Sequence, residues 1–363
     1  MTHPPRAASG ARLIIPSASL IPSTWMAAQP PEGFYVFNPA IIQLRKRLLM
    51  AYRVDFGRSL PARQRTACAL CLLDANLQVE TGSVVALSDT ITDGGANHYD
   101  PRFLTVGDRL FVHYNNNWDT TPNQIFLVEL DPDTLEARRP ARPLIFDGQR
   151  QPVEKNWMLF AHEGDLFAIY RIEPHIVLRL DIDMSGAVHC RPAYRVAWDA
   201  TRYGARYGEL RGGAPPVRVG DRYVALFHSR TAPRGRMNTS APATIATVNR
   251  TGWFRAVKRW LRERLDPLRY FGGVYEFAAT PPFAPTYLRP EPLLHPDAEE
   301  RPHRPTAAHL TPRRVVYPSG LVRLADGAWL VSYGVHDERA VLRVFACHEI
   351  EGGAETSPSG GAS

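Results

Sequence analysis

Asp100 stands in the run Tyr99-Asp100-Pro101-Arg102, a carboxylate set directly against a proline ring. The ring disfavours the helical region for the residue before it, so Asp100 is expected to be extended. A carboxylate so placed can do proton chemistry, or it can cap its turn and pair with Arg102. Lys155, Arg171 and Arg218 are cations on successive segments. Any one alone reads as a surface salt bridge, whereas three at matching places suit an anion, because lysine and arginine keep their charge near neutrality. Asn38, Arg53 and Asp337 carry the paired hydrogen-bonding groups that vicinal sugar hydroxyls require, although Asp337 would equally close a hairpin turn. Trp118, Trp157 and Tyr317 would stack on a sugar face or fill a core. Cys68 and Cys71 have metal-like spacing, but an odd offset on a strand sends them to opposite faces, and no second pair exists. His98 and His175 read as loop hydrogen-bonders rather than ligands, so no metal site is expected. Asn115, Asn116 and Asn117 read as a left-handed loop, with an acceptor-lining role as the alternative.

One supersecondary pattern must position these groups. A short apolar segment, a turn and an alternating strand ending at an aromatic recur five times: NPAIIQLRKRLLMAYRV, PRFLTVGDRLFVHYNN, WMLFAHEGDLFAIYRI, PPVRVGDRYVALFHS and SGLVRLADGAWLVSYGV. Each is a β-hairpin signature. The closing aromatics Tyr52, Tyr114, Tyr170, Phe227 and Tyr333 are 62, 56, 57 and 106 residues apart. A third strand follows each hairpin. Units of this size cannot bury a face alone, and radial packing gives them a shared core. The expected fold is all-β, a five-bladed propeller with a helical insertion in the fourth blade; an irregular β-sandwich is the competing reading. The expected organisation is an N-terminal extension over 1–33, a propeller over 34–350 and a disordered tail over 351–363. The insertion spans about 230–272 and a proline-rich loop about 289–314.

Composition narrows the class. The 363 residues are 44% apolar and 22% charged, with 32 prolines, 26 glycines and 4 cysteines. Such a chain buries a core, is punctuated too often for a helical bundle and is no disulfide scaffold. There is no apolar run of about 18 residues to cross a membrane and only a weak apolar stretch near the N-terminus, so a cytoplasmic enzyme is the expectation. The net charge of +7 is concentrated: residues 250–270 alone carry +5. One cluster on a nearly neutral chain argues against nucleic acid as a partner. Within it, Trp253, Phe254, Val257, Trp260, Leu261 and Leu265 fall at helical spacing between Thr251 and Pro267, opposite five cations. The spacing predicts an amphipathic helix over 251–266. Its apolar face would pack on the propeller, meet a second subunit in a homo-oligomer, or lie on the inner face of the membrane as a peripheral anchor.

Five motifs in order resemble glycoside hydrolase family 130, with the related glycosyltransferase family 108. They are Asn38-Pro39 with Arg53, YDPR at 99–102, KNWMLF at 155–160, GGAPPV at 212–217, and VVYPSG with SYGVHD between Val315 and Asp337. The likeness runs from about Phe34 to Ile350. It implies an inverting enzyme that phosphorolyses β-mannosides, with Asp100 as the single acid, protonating the leaving oxygen through a sugar hydroxyl. Phosphate replaces the base and water of an ordinary inverting glycosidase, so inorganic phosphate is the co-substrate and no cofactor is expected. The resemblance assigns Lys155, Asn156, Arg171, Arg218 and His228 to the phosphate shell, and Asn38, Arg53, Arg102 and Asp337 to an oligosaccharide or glycan substrate. The family pattern has arginine at the place of Lys155 and lysine at that of Arg218, which leaves a nucleotide diphosphate as an alternative anion. A nucleotide-sugar mannosyltransferase is therefore the second reading, and a non-catalytic carbohydrate-binding propeller the third.

Overall fold

The computed structural model describes residues 9–30, 33–57, 66–116, 123–151, 154–182, 186–231, 268–301 and 313–352. Among them the chain is mostly β and runs as successive antiparallel units. After β1 (Arg12–Ile15), the first unit holds β2 (Tyr35–Leu44), β3 (Arg47–Asp55) and β4 (Thr66–Leu73). The second holds β5 (His98–Val106), β6 (Arg109–Asn116), β7 (Gln124–Leu130) and β8 (Arg142–Phe146). The third holds β9 (Met158–His162), β10 (Asp165–Arg171), β11 (His175–Asp181) and β12 (Val188–Val196). In the fourth, β13 (Glu209–Gly212) and β14 (Val217–Val219) both pair with β15 (Arg222–Thr231), followed by β16 (Leu268–Ala278) and β17 (Pro285–Leu288). The last unit is β18 (Arg313–Arg323), β19 (Trp329–Val335) and β20 (Arg339–Phe345). Here β1 lies antiparallel to β20, so part of the segment set apart as an N-terminal extension adds a strand to the final sheet. Short parallel contacts, β8 with β12 and β16 with β18, join neighbouring units into sheets of eight and nine strands.

Each recognised hairpin is present, and its closing aromatic lies on the second strand of the pair. Where that turn is Gly-Asp, at Gly107-Asp108 and Gly220-Asp221, it is a two-residue connection with the glycine at φ +57° and +60°. Glycine takes that conformation without the Cβ clash that other residues meet.

Strand alternation explains the core. Successive side chains point to opposite faces, and both faces of a unit are covered. In β15, Tyr223, Ala225 and Phe227 pack with Phe160 and Phe167 of the third unit. The alternate Val224 and Leu226 pack with Val331 and Tyr333 of the fifth. Cys68 joins the core shared by the first and second units, and Cys71 that shared by the first and the last, as the odd offset requires. A fifth cluster links the second unit to the third. Every unit thus packs on the next, and the last packs on the first. Removing a wholly buried ring such as Phe227 or Phe277 would cost about 3–5 kcal/mol.

The insertion lies between Thr231 and Leu268, which are the facing ends of β15 and β16. The amphipathic helix expected over 251–266, Trp118, Asn117, residues 302–312 of the proline-rich loop and the tail from 353 lie outside the described residues. Among the described residues no helix is long and apolar enough to cross a membrane.

Candidate active site

Asn38 and Asp100 hold the same place on successive units. Each sits in a bulge of its first strand, where pairing slips between Phe37 and Ala40 and between Tyr99 and Arg102. Their φ angles are +52° and +53°. Asp100 is therefore left-handed, not extended as its proline suggested. The bulge imposes the local conformation over the preference set by the proline, and Asn and Asp tolerate it best among side chains with a Cβ. Asn38 Nδ2 donates to Asp100 Oδ1 at 2.7 Å.

Arg53, on β3, faces Phe37 in register. Its Nε and Nη2 donate to the two oxygens of Asp55 at 2.6 and 3.0 Å, and its Nη1 stands 3.6 Å from Asp100 Oδ1. The guanidinium also lies over the rings of Phe37 and Tyr99, 4.8 and 5.3 Å from their centroids. Burial alone would lower its pKa, but Asp55, Asp100 and Asp337 together raise it, so Arg53 stays charged. Asp55 went unnoticed in the sequence; the period-two spacing from Arg53 on one strand face was the available signal. Asp337 does close the β19–β20 turn. Glu338 N donates to Val335 O at 3.0 Å, and His336 and Asp337 have φ of +56° and +57°, the type I′ form. From that turn its charge still reaches Arg53.

Arg102 was expected to bind sugar, and the structure gives it a different task. Its Nε donates to Gly213 O at 2.6 Å, Nη1 to Asp100 O at 3.0 Å and Nη2 to Tyr317 OH. It is only 1% exposed, so it clamps the Asp100 backbone to the fourth and fifth units and has no surface left for a ligand. Tyr317 OH donates in turn to Asn156 Oδ1 at 2.7 Å. Burial, opposed by Arg102, pushes the Tyr317 hydroxyl up to about 12, so it remains a donor.

His228 stacks on Tyr270 and lies beside Tyr317, with centroids 5.9 and 4.8 Å apart. Its Nδ1 faces Gly212 O at 2.9 Å, and a carbonyl only accepts, so Nδ1 carries the proton. Burial first, and then the charges of Arg211, Lys155 and Arg102, hold the imidazole well below its usual pKa. His228 is thus neutral near pH 7 and presents Nε2 as an acceptor. It adds no positive charge to an anion site. Lys155 and Asn156 lead directly into β9, with Asn156 at φ +64°. A Cβ on Gly212 would fall 1.9 Å from Asn156 O, so only glycine lets the third and fourth units approach this closely.

Two of the expected anion ligands are elsewhere. Arg218 lies on β14, with Nε donating to Gly220 O at 3.2 Å. It lines a cavity of about 330 Å³ at the far ends of the first strands, with Gln43, Thr105 and Arg323. The reason is geometric: β14 runs on from Pro215-Pro216 toward the hairpin turn, away from Gly212. The charge that acts most on His228 is that of Arg211, its register partner across β13 and β15, whose Nη2 donates to Glu209 at 2.7 Å. Sequence reasoning missed it because only the strand register puts it opposite His228. Arg171, at the end of β10, lines a lateral cavity with Arg150 and Arg195. Away from the site, His98 bonds Ser88 Oγ and Gly95 O at 2.9 and 3.0 Å, as a loop hydrogen-bonder should. Asn116 donates to Gly94 O at 2.9 Å. No group of metal-binding side chains occurs among the described residues.

Neither a protein-family model nor a curated protein sequence matches the chain. Solved structures do share its fold. A β-1,2-mannobiose phosphorylase from Listeria innocua, in complex with β-1,2-mannobiose, aligns over 93% of this chain and 98% of its own, at 15% identity and a TM-score of 0.55. A structure from the GH130 family of mannoside phosphorylases, which contains hydrolases of β-1,2-mannosidic linkages in Candida mannan, covers 95% of this chain and 96% of its own at 13% identity and a TM-score of 0.53. A GDP-mannose-dependent mannosyltransferase from Leishmania mexicana covers 87% of each chain at 12% identity and a TM-score of 0.51. At such identities the likeness is one of fold.

Proposed function

We propose that the chain is an inverting carbohydrate-active enzyme that phosphorolyses β-mannosides, built as a five-bladed propeller. The blade count rests on the five antiparallel units and on the cavity beside Arg218, which takes residues from β2, β5, β9, β14 and β18 alike. The observation that carries the function is Asp100, held by Asn38 and Arg53 next to a cluster of Lys155, Arg211, Asn156 and His228. Of the other carboxylates whose charge reaches Arg53, buried Asp55 has both its oxygens occupied by Arg53, and Asp337 is held in the β19–β20 turn. One available acid beside fixed cations suits an anionic nucleophile better than water, which needs a second carboxylate as base.

In this reading a phosphate oxygen attacks the anomeric carbon as the glycosidic C–O bond breaks. The proton that leaves Asp100 ends on the departing oxygen. The products are mannose 1-phosphate of inverted configuration and a shortened sugar. Lys155 and Arg211 would neutralise the phosphate, and His228 Nε2 would accept from its protonated oxygen. The same cations fit a diphosphate, and the fold is shared with a GDP-mannose-dependent transferase, so a nucleotide-sugar transferase is the second reading. Incubation with phosphate and β-mannobiose isomers, and separately with GDP-mannose and mannose, tests both. Mannose 1-phosphate from the first mixture supports the proposal. Disaccharide from the second alone replaces it with the transferase, and no product from either removes both.

A further inference from the structure

The lateral cavity beside the third unit has no part in the chemistry above. It measures about 680 Å³, well inside the range of small-molecule sites, and is lined by Arg150, Arg171 and Arg195, by Gln149 and Gln151, and by Tyr170 among its aromatics. Among the described residues no acidic side chain is in its lining. Arg171 and Arg195 are exposed on its wall. Such cations repel one another, and the carboxylate behind this wall, Glu154, is buried in a hydrogen-bond network.

The walls are joined by hydrogen bonds. Gln151 Nε2 donates to Tyr170 OH at 3.1 Å, and Tyr170 OH donates to the buried Glu154 at 3.2 Å. Glu154 also takes Gln151 N at 2.6 Å and Trp157 Nε1 at 3.3 Å. Phe146 packs on Tyr170 with centroids 4.7 Å apart. Because Glu154 immediately precedes Lys155, the same network ties this cavity to the candidate active site.

We propose that this cavity is a second anion subsite, which takes a phosphate ester carried on a sugar or nucleoside. Guanidiniums bind phosphate oxygens in bidentate fashion. The tyrosine and phenylalanine rings offer faces to a pyranose or a base, and the glutamines offer paired bonds to hydroxyls or ring edges. The inference is independent of which reaction Asp100 serves, because it is read by binding alone.

Calorimetric titration of the full chain tests it, with mannose 6-phosphate, guanosine diphosphate and inorganic phosphate as three separate probes. The protein is compared with an Arg171→Gln/Arg195→Gln variant, whose exposed changes should leave the melting curve in place. The variant is expected to lose about tenfold or more in affinity for at least one ester, while inorganic phosphate, bound near Lys155, is unaffected. Loss for mannose 6-phosphate alone identifies a sugar phosphate, and loss for guanosine diphosphate alone a nucleotide. Equal binding of both esters by the two proteins, or no ester binding by either, overturns the subsite. Parallel loss of inorganic phosphate would also overturn it, since the arginines would then belong to one general anion site.

Discussion

The first and second units are built alike, yet only the second carries a carboxylate in the bulge of its first strand. Phe37-Asn38-Pro39-Ala40 and Tyr99-Asp100-Pro101-Arg102 share a bulge, a proline and a φ near +52°. Tyr52 and Tyr114 are buried at the same place on the second strands. What differs is the chemistry placed on this common frame. Across from Phe37 stands Arg53, and across from Tyr99 stands Asn115. The first unit therefore supplies an amide and a guanidinium that hold, and the second a carboxylate that is held. Repetition of the backbone aims the side chains, and single substitutions divide the labour between holding and reacting.

That division is sharpest at Asp100. Asp100→Asn makes the second unit resemble the first and removes the proton while keeping the shape. Turnover of β-mannobiose with phosphate should drop about 10³-fold, with circular dichroism unchanged; near-normal turnover would put the acid elsewhere. Next comes the pair found only in the first unit. Asp55→Asn leaves Arg53 buried without its bidentate partner, and urea unfolding should show a loss of about 3–5 kcal/mol. A change within error would mean that Arg53 is sustained by Asp100 and the rings alone.

A smaller effect is expected at Asn38. Asn38→Ala removes the 2.7 Å bond to Asp100, and kcat should fall about tenfold with KM for phosphate little altered. A KM effect without a kcat effect would make Asn38 a binding group instead. The smallest effect concerns His113, which pairs with Arg102 where the first unit pairs Ala51 with Ala40. Burial, and then Arg102, hold His113 well below its usual pKa. The unfolded chain then takes up a proton below about pH 6.5 that the folded one refuses, so stability falls as pH drops below that value. In His113→Ala the slope of unfolding free energy between pH 6.5 and 5 should flatten by up to about 1.4 kcal/mol per unit, whatever the cavity does to its level. An identical slope would assign the acid sensitivity to the other buried histidines.

The hairpins were legible because their information is local. Alternation over a few residues, Gly-Asp turns and a closing aromatic specify two paired strands wherever they stand. Asp100, Asn38 and Arg53 were singled out through the motifs that resemble glycoside hydrolase family 130, and those motifs lie on the hairpins. The four-residue β1 was not legible, because its partner β20 lies at the other end of the chain. Arg218 was a misreading of the same origin. Arg211 and Arg218 both flank the Gly-Gly-Ala-Pro-Pro run, and only the turn of the chain through those residues separates one toward His228 from the other toward the far cavity. Arg102 shows the limit most plainly. Its composition suits a sugar, but its three partners come from the second, fourth and fifth units.

Neighbouring residues set the repeat, the mostly β class and the turns beside which the polar motif residues stand, because strand pairing and turn chemistry act over short stretches. The tertiary structure alone decided which of those residues meet, that Asp100 turns left-handed in a bulge, and that Arg171 lines the lateral cavity of the third unit. Those outcomes depend on contacts between units distant in the chain. They follow from how whole sheets pack around their shared cores, where a residue's neighbours are set by the other units rather than by its own strand.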